Sequence, residues 1–155
     1  MAYVIRGLDP APFQPLYGMS DADLAAHGAI RKRVDAKPGF PCRITLADAE
    51  PGEDVLLVNF EHLPVGNPYR SRYAVYVREG AAAPAEYRNE VPDQLASRLL
   101  SVRRFGADDM LIAGEVVEGT ELDPLLRTWL ADPATGFIHV HNAKPGCFAA
   151  EVRRD

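Results

Sequence analysis

Short runs of alternating or continuous apolar residues recur along the chain, and each run predicts a β-strand. Alternation places successive side chains on opposite faces of a strand, so most of these strands are expected to have one buried face. The most apolar run, Val55-Leu56-Leu57-Val58, predicts a central strand that is buried on both faces. The predicted strands cover residues 3–7, 30–35, 42–46, 54–62, 73–78, 99–105, 110–117, 137–141 and 147–152.

Three segments carry helix signals. Ser20 is a good N-cap for a helix over 21–27, and Pro92 can open a helix over 92–98. Thr120 is predicted to cap the clearest helix, which runs to residue 130. A single apolar stripe runs along this third helix and consists of Leu122, Leu125, Leu126, Trp129 and Leu130.

The order of these elements predicts the fold class. Most connections are too short for helical crossovers between parallel strands, so the sheet is expected to be mainly antiparallel. The 13 prolines indicate many turns and short elements, and residues 80–91 are expected to form an exposed, mobile connection. We therefore predict one α+β domain over residues 1–155, with a mixed, mainly antiparallel, curved sheet and about three helices.

The composition of the chain bears on which partners it can bind and in which cell compartment it is expected. The net charge is −5 and the basic residues are dispersed, which argues against a nucleic-acid-binding surface. No apolar run approaches the roughly 20 residues that a membrane-spanning helix needs. Residues 1–15 lack the basic start and the apolar core of a signal peptide, so we expect a cytoplasmic protein with reduced thiols at Cys42 and Cys147. The sequence does not indicate an oligomeric state.

The segment from Phe137 to Phe148 carries the strongest chemical signal. Strand alternation places His139 and His141 on one face, and their apolar neighbours occupy the other. A Pro-Gly turn then leads to Cys147. Two imidazoles on one strand face, with a thiol close by, predict a functional site at the C-terminal hairpin.

A repeated tetrapeptide precedes both cysteines. Ala-Lys-Pro-Gly occurs at residues 36–39 and again at 143–146. Proline followed by glycine is typical of a type II turn, in which the second central residue has a positive φ. We therefore predict a positive φ at both Gly39 and Gly146.

The same strings resemble a known family over essentially the whole chain. The residues that carry the resemblance are Ile5-Arg6-Gly7-Leu8-Asp9, residues 35–43, Asn59-Phe60-Glu61-His62, His139-Val140-His141-Asn142-Ala143 and Gly146-Cys147-Phe148-Ala149. They resemble a bacterial family known only as domain of unknown function 1203. The resemblance implies a small bacterial protein and brings no activity, cofactor or catalytic residue with it.

These observations predict a small-ligand-binding protein or enzyme with a histidine-lined pocket at the C-terminal hairpin. His139, His141 and Cys147 are the candidate catalytic residues, and His62, Arg43 and Asn142 are the candidate ligand-binding residues. In an enzyme, one of the paired histidines would act as the general base, Arg43 would orient an anionic group, and Cys147 would be the nucleophile. The expected partner is a small anionic molecule.

Other interpretations remain open at this point. The same histidines can hold a metal if a third ligand lies near them. The protein can instead be a structural or protein-interaction domain whose turns only hold the fold. Arginines 43, 70, 72, 103 and 104 would suit a carboxylate or phosphate ligand if some of them lie near the histidines. No phosphate-loop or dinucleotide pattern occurs, so the sequence leaves the cofactor unknown.

Overall fold

A computed structural model describes residues 1–155 and confirms an α+β fold that is mostly sheet. Its strands lie in two antiparallel sheets rather than in one. The strands are β1 (Tyr3–Arg6), β2 (Ile30–Arg33), β3 (Asp54–Leu63), β4 (Ser71–Arg78), β5 (Glu86–Arg88), β6 (Leu99–Phe105), β7 (Leu111–Glu118), β8 (Phe137–Asn142) and β9 (Phe148–Arg154). The larger sheet has the order β5-β1-β9-β8-β6-β7, and the smaller one has the order β2-β3-β4.

Helix α3 (Leu122–Ala131) covers one face of the six-stranded sheet. Leu122, Leu126 and Leu130 of α3 are fully buried against Ile138 and Val140 of β8. This packing confirms the apolar stripe that the sequence predicts. The margin of the stripe, which includes Leu125 and Trp129, is only partly buried.

The N-terminus of α3 differs from the prediction. Thr120 does not cap the helix, because a 3₁₀ turn, Gly119–Glu121, precedes it and Glu121 occupies the N-cap position. A Cβ atom on Gly119 would lie 1.9 Å from the carbonyl oxygen of Leu95, which belongs to α2 (Asp93–Ala96). Glycine is therefore required at 119 because two backbone segments meet there.

A second core lies under the three-stranded sheet. It contains Leu56 and Val58 of β3, Val75 and Val77 of β4, and Leu24 of α1 (Asp21–Ala26). Ser20 caps α1 as predicted, since its side chain accepts a hydrogen bond from the backbone N–H of Asp23. None of the helices in the structure is both long and apolar enough to cross a membrane.

Two predicted segments differ from the structure. Residues 42–46 form a compact turn instead of a strand: Leu46 has a φ of 54°, and its N–H donates to the carbonyl of Cys42. Both residues are buried as the apolar pattern requires, so that pattern reflects burial and not strand geometry. Residues 80–91 were expected to be an irregular connection, but they contain β5, which pairs with β1.

The two Ala-Lys-Pro-Gly segments also differ from each other. Gly146 has a φ of 80°, as the turn before β9 predicts. Gly39 does not have a positive φ, so the prediction of a matching turn there is wrong. The repeated tetrapeptide therefore does not encode a repeated backbone structure.

Candidate functional site

The C-terminal hairpin of β8 and β9 contains a β-bulge. Val140 pairs with Ala150, but the next residue of β8, His141, pairs with Phe148. Ala149 is therefore the extra residue on β9. A shift of one residue moves the following side chains to the opposite face of the sheet.

This bulge determines which side chains of β9 share a face of the sheet with the histidines. The ring of Phe148 lies on the histidine face, with its centroid 5.0 Å from that of His139 and 5.8 Å from that of His141. Cys147 lies instead with Asn142, whose side-chain nitrogen is 3.6 Å from its sulfur. The structure thus divides the predicted site residues into two groups, one on either side of Phe148.

The first group lines a pocket of about 230 Å³, which we call the histidine pocket. Its polar lining consists of His62, Tyr69, Ser71, Arg103, His139 and His141. The ring of His62 stacks on that of Phe148 at 5.2 Å and 10°. Its centroid lies 5.1 Å from that of His141 and 6.2 Å from that of His139. The structure therefore brings together all three histidines that the sequence singles out.

Burial keeps two of these imidazoles neutral at pH 7. Burial, aided by the charges of His139 and Arg103, lowers the pKa of His62 to about 4. Burial is also the main reason why the pKa of His141 falls to about 3, although its hydrogen bond to the Gly146 carbonyl opposes the change. His141 is 2% exposed, and its Nδ1 lies 3.0 Å from that carbonyl oxygen.

His139 is oriented by a carboxylate. Its Nε2 lies 3.1 Å from Oε2 of Glu151, the residue opposite it on β9. Burial alone would raise the pKa of Glu151, but hydrogen bonds from His139 and Arg153 lower it to about 2. Glu151 is therefore ionised at pH 7 and accepts the Nε2–H of His139. The Nδ1 atom of His139 is buried and has no hydrogen-bond partner.

The histidines do not form a metal-ligand set. No group of three or more His, Cys, Asp or Glu side chains is arranged so that it can hold a metal ion. The imidazoles are held by neighbours other than one another, namely the Gly146 carbonyl, the Glu151 carboxylate and the Phe148 ring.

The second group lines a cleft of about 690 Å³ between the two sheets, which we call the cysteine cleft. Its polar lining includes Arg43, Tyr76, Arg98, Asn142, Lys144 and Cys147. Leu57 and Tyr73 from the smaller sheet and Leu99 from the larger sheet add apolar surface. A cleft with mostly apolar walls and a few convergent polar groups is typical of small-molecule sites.

Arg43 is the most unusual residue of the cysteine cleft. It is 1% exposed and has no carboxylate partner. Its Nε donates to the Phe148 carbonyl at 2.8 Å, and its Nη1 donates to the Pro41 carbonyl at 2.6 Å. Its Nη2 donates to the sulfur of Cys147 at 2.9 Å. Burial lowers the pKa of Arg43, yet a guanidinium stays protonated in proteins, so the site contains a buried positive charge.

The two cysteines are free and occupy different environments. Cys42 is 0% exposed, belongs to the second core and lines neither the pocket nor the cleft. Its sulfur accepts the backbone N–H of Arg78 at 3.2 Å. Cys147 is 8% exposed and lies at the cysteine cleft. Of the two cysteines, only Cys147 contacts both a guanidinium and a side-chain amide donor and also lines a cavity.

Several site residues were not evident from the sequence. The role of Phe148 as a divider depends on the bulge, for which the sequence gives no signal. Lys144 and Arg98 line the cysteine cleft from a turn and from the residue before β6. Arg103 could be anticipated, because it is one of the arginines considered above and its strand pairs with β8.

Comparison with known proteins agrees with the resemblance seen in the sequence. No curated protein and no solved structure matches the chain. A family model described as "Protein of unknown function (DUF1203)" matches residues 39–154, which include β3 to β9, the histidine pocket and the cysteine cleft. The chain belongs to the DUF1203 family.

Proposed function

We propose that the protein binds a small anionic molecule in the cysteine cleft and that Cys147 acts on it as a nucleophile. The observation that carries this proposal is the contact of 2.9 Å between the buried guanidinium of Arg43 and the sulfur of Cys147. The proposal requires Cys147 to stay reduced, and a cytoplasmic location favours that state.

The charge of Arg43 supports the first step of the proposal. A buried charge is unfavourable unless an opposite charge or several hydrogen bonds offset it. Two backbone carbonyls and a sulfur surround this guanidinium, and none of them carries a formal charge when the thiol is protonated. The Nη2 of Arg43 donates to the sulfur of Cys147, and reactive cysteines lie in electropositive, partly exposed surroundings of this kind.

The remaining polar groups favour an anionic ligand. Lys144 is exposed and has no acidic partner, whereas Arg98 pairs with Asp48. Glu118 is the acidic residue of the cleft lining. Positive side chains therefore outnumber negative ones along the cleft, and such a lining attracts anions.

Asn142 offers a further contact for a ligand. Its side-chain nitrogen points to the sulfur of Cys147, and its Oδ1 is buried without a hydrogen-bond partner. Asn142 lines the cleft, so its side chain can contact a bound ligand. In this arrangement the sulfur of Cys147 forms a bond to an electrophilic carbon of the ligand as a leaving group departs from that carbon with its bonding electrons, and the thiol proton passes to solvent. Arg43 holds the sulfur, Asn142 positions the ligand and Lys144 attracts it.

The histidines have no part in this step. His139 and His141 were expected to supply a general base for Cys147, but Phe148 lies between them and the cysteine cleft. The proposal therefore assigns nucleophilic attack to the Arg43–Cys147 pair alone.

Alkylation of the native protein tests this proposal. With iodoacetamide at pH 7, Cys147 should react at least about 100-fold faster than Cys42, because Cys42 is reached only when the protein unfolds. Peptide mass spectrometry measures both rates in one sample, so Cys42 is the internal control. Asn142→Ala should slow the reaction of Cys147 in the native protein and leave its rate in urea unchanged. Equal, slow alkylation of the two cysteines would refute the proposal and indicate that the Arg43 contacts only hold the fold.

A further inference from the structure

We propose that the histidine pocket is a second binding site, which takes a small oxyanion that also carries a hydroxyl hydrogen. Hydrogen phosphate and a 2-hydroxycarboxylate share this chemistry. The site lies on the other side of Phe148 from the cysteine cleft and does not depend on Cys147.

The positive group of the pocket is an unpaired arginine. Arg103 forms no ion pair, and its one side-chain hydrogen bond is a long contact of 3.5 Å from Nε to the hydroxyl of Ser101. It is paired across the sheet with His139 on β8 and with Gly114 on β7. Because Gly114 has no side chain, no partner from β7 covers the guanidinium at that position. A partly buried, unpaired guanidinium is suited to bind an oxyanion through two parallel hydrogen bonds.

The second feature is a hydrogen-bond acceptor on His141. The carbonyl of Gly146 can only accept, so the hydrogen of this neutral imidazole must be on Nδ1. Its Nε2 therefore has a free lone pair, and it makes no hydrogen bond within the protein. A ligand hydroxyl can donate to this atom, whereas an oxyanion without hydrogen would be repelled by the lone pair.

The third imidazole of the lining and the size of the pocket also bear on the ligand. His139 is 1% exposed, its Nε2–H is directed to Glu151, and its Nδ1 is buried without a hydrogen bond. The pocket has a volume of about 230 Å³, which suits a small molecule.

Ligand titration followed by NMR of the imidazole resonances tests this inference. The chain has four histidines, and the exposed His27 serves as an internal reference. At pH 7 and constant ionic strength, inorganic phosphate or glycolate should shift the resonances of His62, His139 and His141 saturably. Sulfate and acetate are the matched anions that lack a hydroxyl hydrogen, and they should bind at least about tenfold more weakly. The phosphate and glycolate titrations distinguish the two ligand sources.

Variants separate this site from general charge effects and from the cysteine cleft. Arg103→Gln should weaken binding about tenfold or more, because it removes the charge-assisted hydrogen bonds. Arg33→Gln removes the same charge from an exposed position on β2 and should leave binding unchanged. Cys147→Ser should also bind normally, so a failure of the proposed thiol chemistry would not affect this result. The inference is wrong if no anion saturates, if sulfate binds as tightly as phosphate, or if Arg103→Gln binds like the parent.

Discussion

Replacing Arg43 with Met should lower the free energy of unfolding by about 3 kcal/mol or more, because each buried acceptor that loses its donor costs roughly 1–3 kcal/mol. Methionine roughly fills the volume, but it leaves the carbonyls of Pro41 and Phe148 and the sulfur of Cys147 without their donors. Because the whole free energy of unfolding of a typical domain is roughly 5–15 kcal/mol, urea denaturation will detect this loss easily.

Two further variants make the Arg43 experiment specific. Arg33→Met removes an exposed arginine that pairs with Asp54, and such a surface pair contributes about 0–1 kcal/mol. In the double variant Arg43→Met/Cys147→Val the sulfur is removed together with its donor, so part of the loss should be recovered. A loss below about 1 kcal/mol for Arg43→Met would mean that the guanidinium is not held as a buried charge.

Acidification from pH 7 to pH 5 should lower the free energy of unfolding by about 2 kcal/mol through His141 alone. The pKa of His141 is about 3 in the folded protein, below the value of about 6.5 for an unfolded chain. Below pH 6.5 the unfolded chain therefore binds a proton that the folded protein does not. This contribution is fully present above about pH 6.5 and is lost as the pH falls towards 3.

His62 acts in the same direction, because its pKa is lowered to about 4. Glu151, whose pKa is lowered to about 2, loses its contribution only below about pH 4.5, so the window from pH 7 to pH 5 isolates the histidines.

Urea denaturation at the two pH values measures the effect, and a pair of asparagine variants controls it. The side-chain nitrogen of Asn can replace Nδ1 of His141 as donor to the Gly146 carbonyl, but it does not titrate. His141→Asn should therefore lose about 2 kcal/mol of the pH dependence. His27→Asn, at the exposed end of α1, should keep the parental dependence. Equal stability of the parent at pH 7 and pH 5 would contradict the buried, neutral state of His141.

The sequence predicted those parts of the fold that depend on local patterns. The stripe on α3, the Ser20 cap of α1 and the apolar strand β3 follow from periodicity and capping residues, and all three are present. Strand β5 was missed because its partner is β1, about 80 residues earlier in the chain. Residues 42–46 were misread because buried turn residues can alternate like those of a strand.

The same reasoning from the sequence predicted only part of the candidate site. Alternation alone places His139, His141 and Cys147 on one face of the C-terminal hairpin. The bulge at Ala149 moves Cys147 to the other face and inserts Phe148 between the two groups. A bulge depends on the packing of both sheets, so a rule based on periods of two residues cannot predict it. The long-range contact of Arg43 with Cys147 spans 104 positions and has no local signal.

The most direct test of the proposed function compares the alkylation of Cys147 by iodoacetate, which is anionic, and by iodoacetamide, which is neutral. The ratio of the two rates in native protein is divided by the ratio for Cys147 in the same protein unfolded in urea. If the cysteine cleft attracts anions to Cys147, this quotient should be about 10 or more, and Lys144→Gln should lower it. A quotient of 1 or less, with Cys147 otherwise alkylated, would contradict the account.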